Sequence, residues 1–289
     1  MDQATMDLIL KAQRAEITEY YIYQRLAGFT SDQGNRDILT QISRDEKNHH
    51  DLLKDHTGRE MQPKRWKIWL YTLLARVLGL TFAIRLMEAG EDLAQDTYQE
   101  ISRVIPEISQ IEEDEYDHED QLIEMLSEQS LQYASSIVLG LNDALVELTG
   151  AIAGLTLALQ DTTLIAVAGL ITGISAALSM GGSEYLSTRT EDEPVKHPVK
   201  ASIYTGSAYL FAVIFLVLPF FVLTNPFWAL AWTMLDAFLI ILAFTFYISV
   251  AKNYSFRRRF GEMVLISFGV AAVSFLIGLV VRQALGVEA

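Results

Sequence analysis

Two pairs of helical motifs carry the chemistry of the first half of the chain. Glu16-x-x-Glu19 is followed by Glu46-x-x-His49, and Glu88-x-x-Glu91 is followed by Glu115-x-x-His118. Residues three apart share one face of a helix, so each Glu-x-x-His presents a carboxylate and an imidazole together. Two such helices, with a glutamate from each of two others, converge six ligands in a bundle core, as in di-iron or di-manganese carboxylate centres. On this reading Glu46 and Glu115 bridge the metals and His49 and His118 are terminal nitrogen ligands. Glu16 and either Glu88 or Glu91 complete the shell. A single motif of this kind on a charged helix is most often a solvated face. Its recurrence at matched spacing, 30 residues from Glu16 to Glu46 and 27 from Glu88 to Glu115, points to a site. Glu19 and Glu112 are read as outer or surface groups, Tyr20, Tyr23 and Tyr98 as core packing, and His50 and His56 receive no role.

A second set of groups lies in apolar sequence. Asp143 and Glu147 are four apart, as are Met180 and Glu184, and charges within membrane-length segments are costly and mostly functional. Carboxylates with a thioether suit a borderline divalent cation such as Fe2+ better than Ca2+ or Mg2+. A carboxylate can also take a proton when the metal leaves. Asp236 stands evenly between a functional and a structural reading.

These residues need two kinds of scaffold. Helical patterning over residues 3–130 predicts four helices, roughly 3–30, 35–57, 66–103 and 107–130. Beyond residue 131, Ile137–Leu159, Leu164–Leu186, Ile203–Leu223, Phe227–Val250 and Met263–Val281 are each long and apolar enough to cross a hydrocarbon core of about 30 Å. Trp66–Met87 is also apolar, but Arg76 at its centre would cost on the order of 2.5–3.5 kcal/mol to insert. It is read as the start of a helix of the first domain, with Trp66 and Trp69 near the membrane interface. The fold class expected is all-α: a four-helix bundle over 1–130 and a five-helix transmembrane bundle over 131–289.

Composition agrees with the division. The 289 residues have a net charge of −14. Residues 1–130 hold 14 basic and 26 acidic side chains, whereas residues 131–289 hold 8 and 10. With no cysteine, disulfides, thiolate nucleophiles and zinc-thiolate sites are excluded. Nucleic acid is not an expected partner, because the acidic half has no basic patch of the needed kind. The N-terminus lacks a secretory pattern, so the first domain is expected to be cytoplasmic. Arg189, Lys196 and Lys200 in one loop, and Lys252 and Arg257–Arg259 in another, then fall on that same side. The C-terminus is expected outside. Small residues at spacing four (Gly140, Ala144; Gly150, Gly154; Gly169, Gly173, Ala177, Gly181) permit close helix contact, either within the bundle or in a homodimer.

Residues 1–130 resemble the ferritin-like domain of the rubrerythrin family, whose third-helix motif compares with Glu88-Ala89-Gly90-Glu91. In that family a further metal-binding glutamate follows three residues on; here that position is Ala94. Residues 137–282 resemble the vacuolar iron transporter family, through Leu141-Asn142-Asp143-Ala144-Leu145 and Ser179-Met180-Gly181-Gly182-Ser183-Glu184-Tyr185-Leu186. The combined resemblance implies a membrane-bound ferritin-like iron exporter. It implies a dimer of five-span chains that moves Fe2+ outward against protons, with Asp143 and Met180 on the path. That family's long insert between the second and third spans shrinks here to about Ser187–Lys200, and the N-terminal domain is expected to replace it as metal receiver. The expected function is proton-coupled export of Fe2+, with Mn2+ as an alternative cargo, through Asp143, Glu147, Met180 and Glu184. The rival is a membrane-anchored di-iron oxidase or peroxidase whose spans serve as a tether.

Overall fold

A computed structural model describes residues 3–102, 105–125, 133–190 and 196–285. Among them every regular element is helical, and the chain divides into two units, Met1–Ser130 and Leu131–Ala289.

In the first unit α1 (Gln3–Phe29) and α2 (Gln33–Thr57) form a hairpin. Asp32 caps α2 by accepting from the Asn35 amide at 2.9 Å, and Gly58 ends it at φ 62°, as a left-handed C-terminal glycine does. The single helix expected over 66–103 is two helices, α3 (Arg65–Leu78) and α4 (Leu80–Ser102). The break is Gly79, at φ 96° and ψ 155°, a conformation open essentially to glycine alone. The apolar pattern runs through this point although the backbone does not. One tight turn at Pro106–Ile108 leads into α5 (Ser109–Met125), and residues 126–132 lie outside the described part. Two apolar clusters fill the unit. One contains Ile22, Leu26, Leu39, Ile42, Met87 and Leu122; the other contains Ile9, Leu53, Tyr98, Ile101 and Ile111. Along α1, α2 and α5 the buried polar residues Glu16, Glu46, His49 and His118 fall between these clusters.

The second unit has α6 (Ala134–Leu159), α7 (Thr162–Arg189), α8 (Pro198–Val222), α9 (Pro226–Ala251) and α10 (Phe256–Leu285), all long and apolar enough to cross a membrane. Asp161 and Asn225 cap α7 and α9 through their side chains, and prolines open α8 and α9. Large apolar side chains such as Leu178, Leu265, Phe221 and Trp228 face outward, as lipid contact allows. The small-residue stripes are used inside the bundle. A Cβ on Gly173 would lie 2.6 Å and 2.8 Å from the Val213 methyls, and one on Gly140 would overlap the Thr205 carbonyl oxygen. Gly150 and Gly154 likewise face α10. These faces are therefore taken by neighbouring helices of the same chain and are not open to a second copy.

Candidate functional site

The first unit gathers its chemistry around one imidazole. Glu16 of α1, Glu46 and His49 of α2 and Glu115 of α5 offer donor atoms that all lie within 4.8 Å of one another. His49 Nδ1 stands 3.4 Å from Glu16 Oε2, 3.7 Å from Glu46 Oε2 and 3.6 Å from Glu115 Oε1. Ligand atoms around one ion with bonds of about 2.1 Å are separated by about 3.0–3.4 Å. The three distances from His49 are slightly wider, and the whole donor set lies within 4.8 Å. Glu16 Oε2, Glu46 Oε2, His49 Nδ1 and His118 Nδ1 are buried and make no hydrogen bond, which is costly unless another partner satisfies them. These donors fit a divalent metal.

Electrostatics point the same way. Burial, followed by the Glu46 charge, raises the Glu16 pKa well above its ordinary value. Burial, followed by Glu115, pushes Glu46 up to about 7. Glu19, one turn from Glu16, is pushed up to about 8 by burial and then by Glu16 and Glu115. Burial works against a charged His49, but Glu115, Glu16 and Glu46 outweigh it and raise its pKa. The unit thus concentrates negative charge in a dry place, where a cation relieves it. Tyr98 of α4 donates a hydrogen bond to Glu16 Oε1, and burial with the nearby Glu16 and Glu115 charges raises its pKa. It touches the site, beyond the core packing expected of it.

His118 and either Glu88 or Glu91 are expected in the same shell, yet neither His118 nor Glu88 belongs to the converging four. His118 is adjacent: its Nδ1 lies 3.5 Å from Glu46 Oε1, and its ring centroid is 5.9 Å from that of His49. Glu88 is half-buried on α4. The side chain of Glu91 lies outside the described residues. Two aspartates complete the arrangement. His49 Nε2 meets Asp114 Oδ2 at 3.1 Å, and His118 Nε2 meets Asp45 Oδ2 at 3.4 Å. Each aspartate immediately precedes the glutamate of the other motif, so Asp45-Glu46 and Asp114-Glu115 exchange imidazole partners across α2 and α5. A carboxylate on the far nitrogen fixes which nitrogen faces the metal. The signal was present as Asp-Glu-x-x-His written twice. His50 is fully buried, with Nδ1 2.9 Å from Asp51 Oδ1, and His56 Nε2 lies 3.4 Å from Glu107 Oε2.

In the second unit the helix containing Asp143 and Glu147 is not regular. Ala144–Leu148 forms a π turn directly after Asp143, and such widened turns occur frequently at functional sites. The Tyr209 hydroxyl of α8 donates to Glu147 Oε2 at 3.3 Å. Met180 packs against the apolar core beside this region. Glu184 has a different setting. Its Oε1 accepts from Ser136 Oγ at 2.6 Å and pairs with Lys196 Nζ at 3.4 Å. The carboxylate that the sequence aligns with Met180 therefore already has a counter-ion. Among the described residues Asp143, Glu147 and Glu184 do not converge as the donors of the first unit do. Asp236 is half-buried on α9.

Residues 134–197 match the VIT family. The VIT-matched segment comprises α6, α7 and the connection after them, and so contains Asp143, Glu147, Met180 and Glu184. With the five apolar helices, this match supports an integral membrane protein whose first two spans are similar to the VIT family. No curated protein and no solved structure matches the chain.

Proposed function

We propose that the chain exports Fe2+, with Mn2+ as an alternative cargo, from the cytoplasm across the cell membrane in exchange for protons, as a homodimer. The observation that carries this reading is a VIT-matched membrane helix with two carboxylates, Asp143 and Glu147, at a π turn. A tether has no need for either acid. The cation passes Asp143, Glu147 and Met180, and the carboxylates take protons as it leaves. Glu184, held by Ser136 and Lys196, acts at the end of the path as a group that changes partner when a cation arrives. The first unit, a ferritin-like domain, receives the metal through Glu16, Glu46, His49 and Glu115, with His118, Glu88 and Glu91 as further ligands of a di-iron site. Bound iron would supply redox or storage chemistry there. The protein's own contribution is to orient His49 through Asp114 and to hold the carboxylates away from water.

The test is uptake of Fe2+ and Mn2+ into proteoliposomes under an imposed pH gradient. Asp143→Ala should abolish gradient-driven flux, and Glu46→Ala should lower it while leaving the pH dependence of the remainder intact. Undiminished flux in Asp143→Ala overturns the pathway. Normal flux in Glu46→Ala with lost oxygen consumption assigns the first unit an oxidase or peroxidase role instead.

A further inference from the structure

Helix α3 has one face in the first unit and one face that no described residue of that unit covers. Ile68 and Ala75 are buried, whereas Trp66 and Trp69 are each 62% exposed and Val77 is 69% exposed. Trp66, Trp69, Leu73 and Val77 recur at steps of three and four, so they form a single stripe opposite the buried pair. Tryptophans in such a stripe are costly to leave in water and are favoured at the level of lipid headgroups.

The charge around the stripe is unlike the rest of the unit. Between Glu60 and Glu88 the sequence holds Lys64, Arg65, Lys67, Arg76 and Arg85 and no acidic residue. Beside the stripe, α1 and α3 enclose a pocket of about 460 Å³ that contains Arg25, Trp69, Thr72 and Arg76. The Arg76 guanidinium lies 5.3 Å over the Phe29 ring, a cation–π contact that does not use its N–H groups. The Thr72 hydroxyl donates to the Ile68 carbonyl at 2.6 Å, so the two guanidinium groups are the donors there, and they suit a phosphate. A short helix with tryptophans on one face and Lys or Arg around it is the pattern of a segment lying in a membrane interface. A second copy is a poor occupant, because a two-fold contact through this face would oppose its basic side chains to themselves. The chain continues into five membrane-length helices, so a bilayer is always within reach.

We propose that α3 is an interfacial anchor, with its Trp66/Trp69/Leu73/Val77 stripe in the headgroup layer of a bilayer and the Arg25/Arg76 pocket holding the phosphate of an anionic lipid. This inference does not depend on the transport reading.

The absence of cysteine makes the test simple. The full-length chain carries one cysteine, Val77→Cys, or Gln41→Cys on the exposed face of α2 as control, labelled with an environment-sensitive fluorophore. It is placed in nanodiscs of phosphatidylcholine with or without phosphatidylglycerol. The label at 77 should be quenched by nitroxide lipids and shielded from iodide when phosphatidylglycerol is present, and the label at 41 should not. Combining Arg25→Gln with Arg76→Gln should weaken the shielding about tenfold, and the paired lysine substitutions should retain it. Iodide access at 77 in both discs overturns the anchor. Equal shielding in both discs overturns the anionic headgroup, and shielding from iodide without quenching by nitroxide lipids overturns the lipid contact and assigns the face to a second copy.

Discussion

Replacing Glu46 by glutamine should stabilise the metal-free first unit while crippling its metal binding. Glu46 is 2% exposed, and its pKa is pushed from 4.5 to about 7. Two and a half pH units correspond to on the order of 3 kcal/mol of penalty for the ionised form in the folded state. The sign follows from linkage: a carboxyl with a raised folded pKa contributes stability below pH 4.5, and that contribution is lost as pH rises through about 7. At pH 8 the wild-type unit carries the whole penalty. Glutamine removes the charge but weakens the contacts to His49 and His118, which costs about 1–2 kcal/mol. The net gain is about 1–2 kcal/mol at pH 8, and at pH 5 it vanishes or reverses. Hydrogen exchange of α2 amides in metal-free full-length protein in nanodiscs should therefore slow roughly 5- to 30-fold at pH 8, with no slowing at pH 5. Co2+ or Mn2+ affinity in the same protein should fall by about tenfold or more. If Glu46→Gln speeds exchange equally at both pH values, the site is a structural hydrogen-bond network and the metal assignment fails.

Metal binding to the first unit should release protons, because Glu16, Glu46 and His49 all have raised pKa values. Calorimetry in buffers of different ionisation enthalpy should count at least one proton per metal at pH 7, and affinity should drop as pH falls below about 7. Gly79→Ala should destabilise the α3–α4 junction by about 1–3 kcal/mol, measurable as faster exchange in both helices. Gly140→Val should weaken the membrane unit by about 1–3 kcal/mol in detergent unfolding, because its Cβ meets the Thr205 backbone. Gly269→Ala, with nothing near its Cβ, should be neutral. Tyr209→Phe should lower metal flux by about fivefold through loss of a hydrogen bond of about 1 kcal/mol to Glu147, with the membrane unit destabilised by no more than about that amount in detergent unfolding.

The two halves differed in how much of them could be read from the chain. Helical periodicity and span length are local properties, so the helices and the five apolar segments were visible directly, as was the pairing of Glu46 with His49. Gly79 was visible as a residue but not as a break, because the apolar pattern continues across it. Asp45 and Asp114 stood beside the motif glutamates, and only their crossing to the opposite histidine gives them a role. The π turn after Asp143 has no sequence signature, since Ala144–Leu148 is ordinary helical sequence. Tyr98 looked like core because its hydroxyl partner, Glu16, lies 82 residues away.

The sequence alone determined the kinds of group available and where each could lie along a helix. Carboxylates, imidazoles and thioethers were present without cysteine, in one acidic half and one apolar half. Spacing of three or four residues settles which side chains share a helix face, because that depends only on the helical repeat. Tertiary structure decided which faces meet. It brought Glu16, Glu46, His49 and Glu115 within 4.8 Å, left His118 beside them, gave Glu184 to Lys196, and turned the glycine stripes inward. Those outcomes depend on packing between helices distant in sequence, where van der Waals fit and the cost of burying charge select one arrangement among many that the local pattern permits.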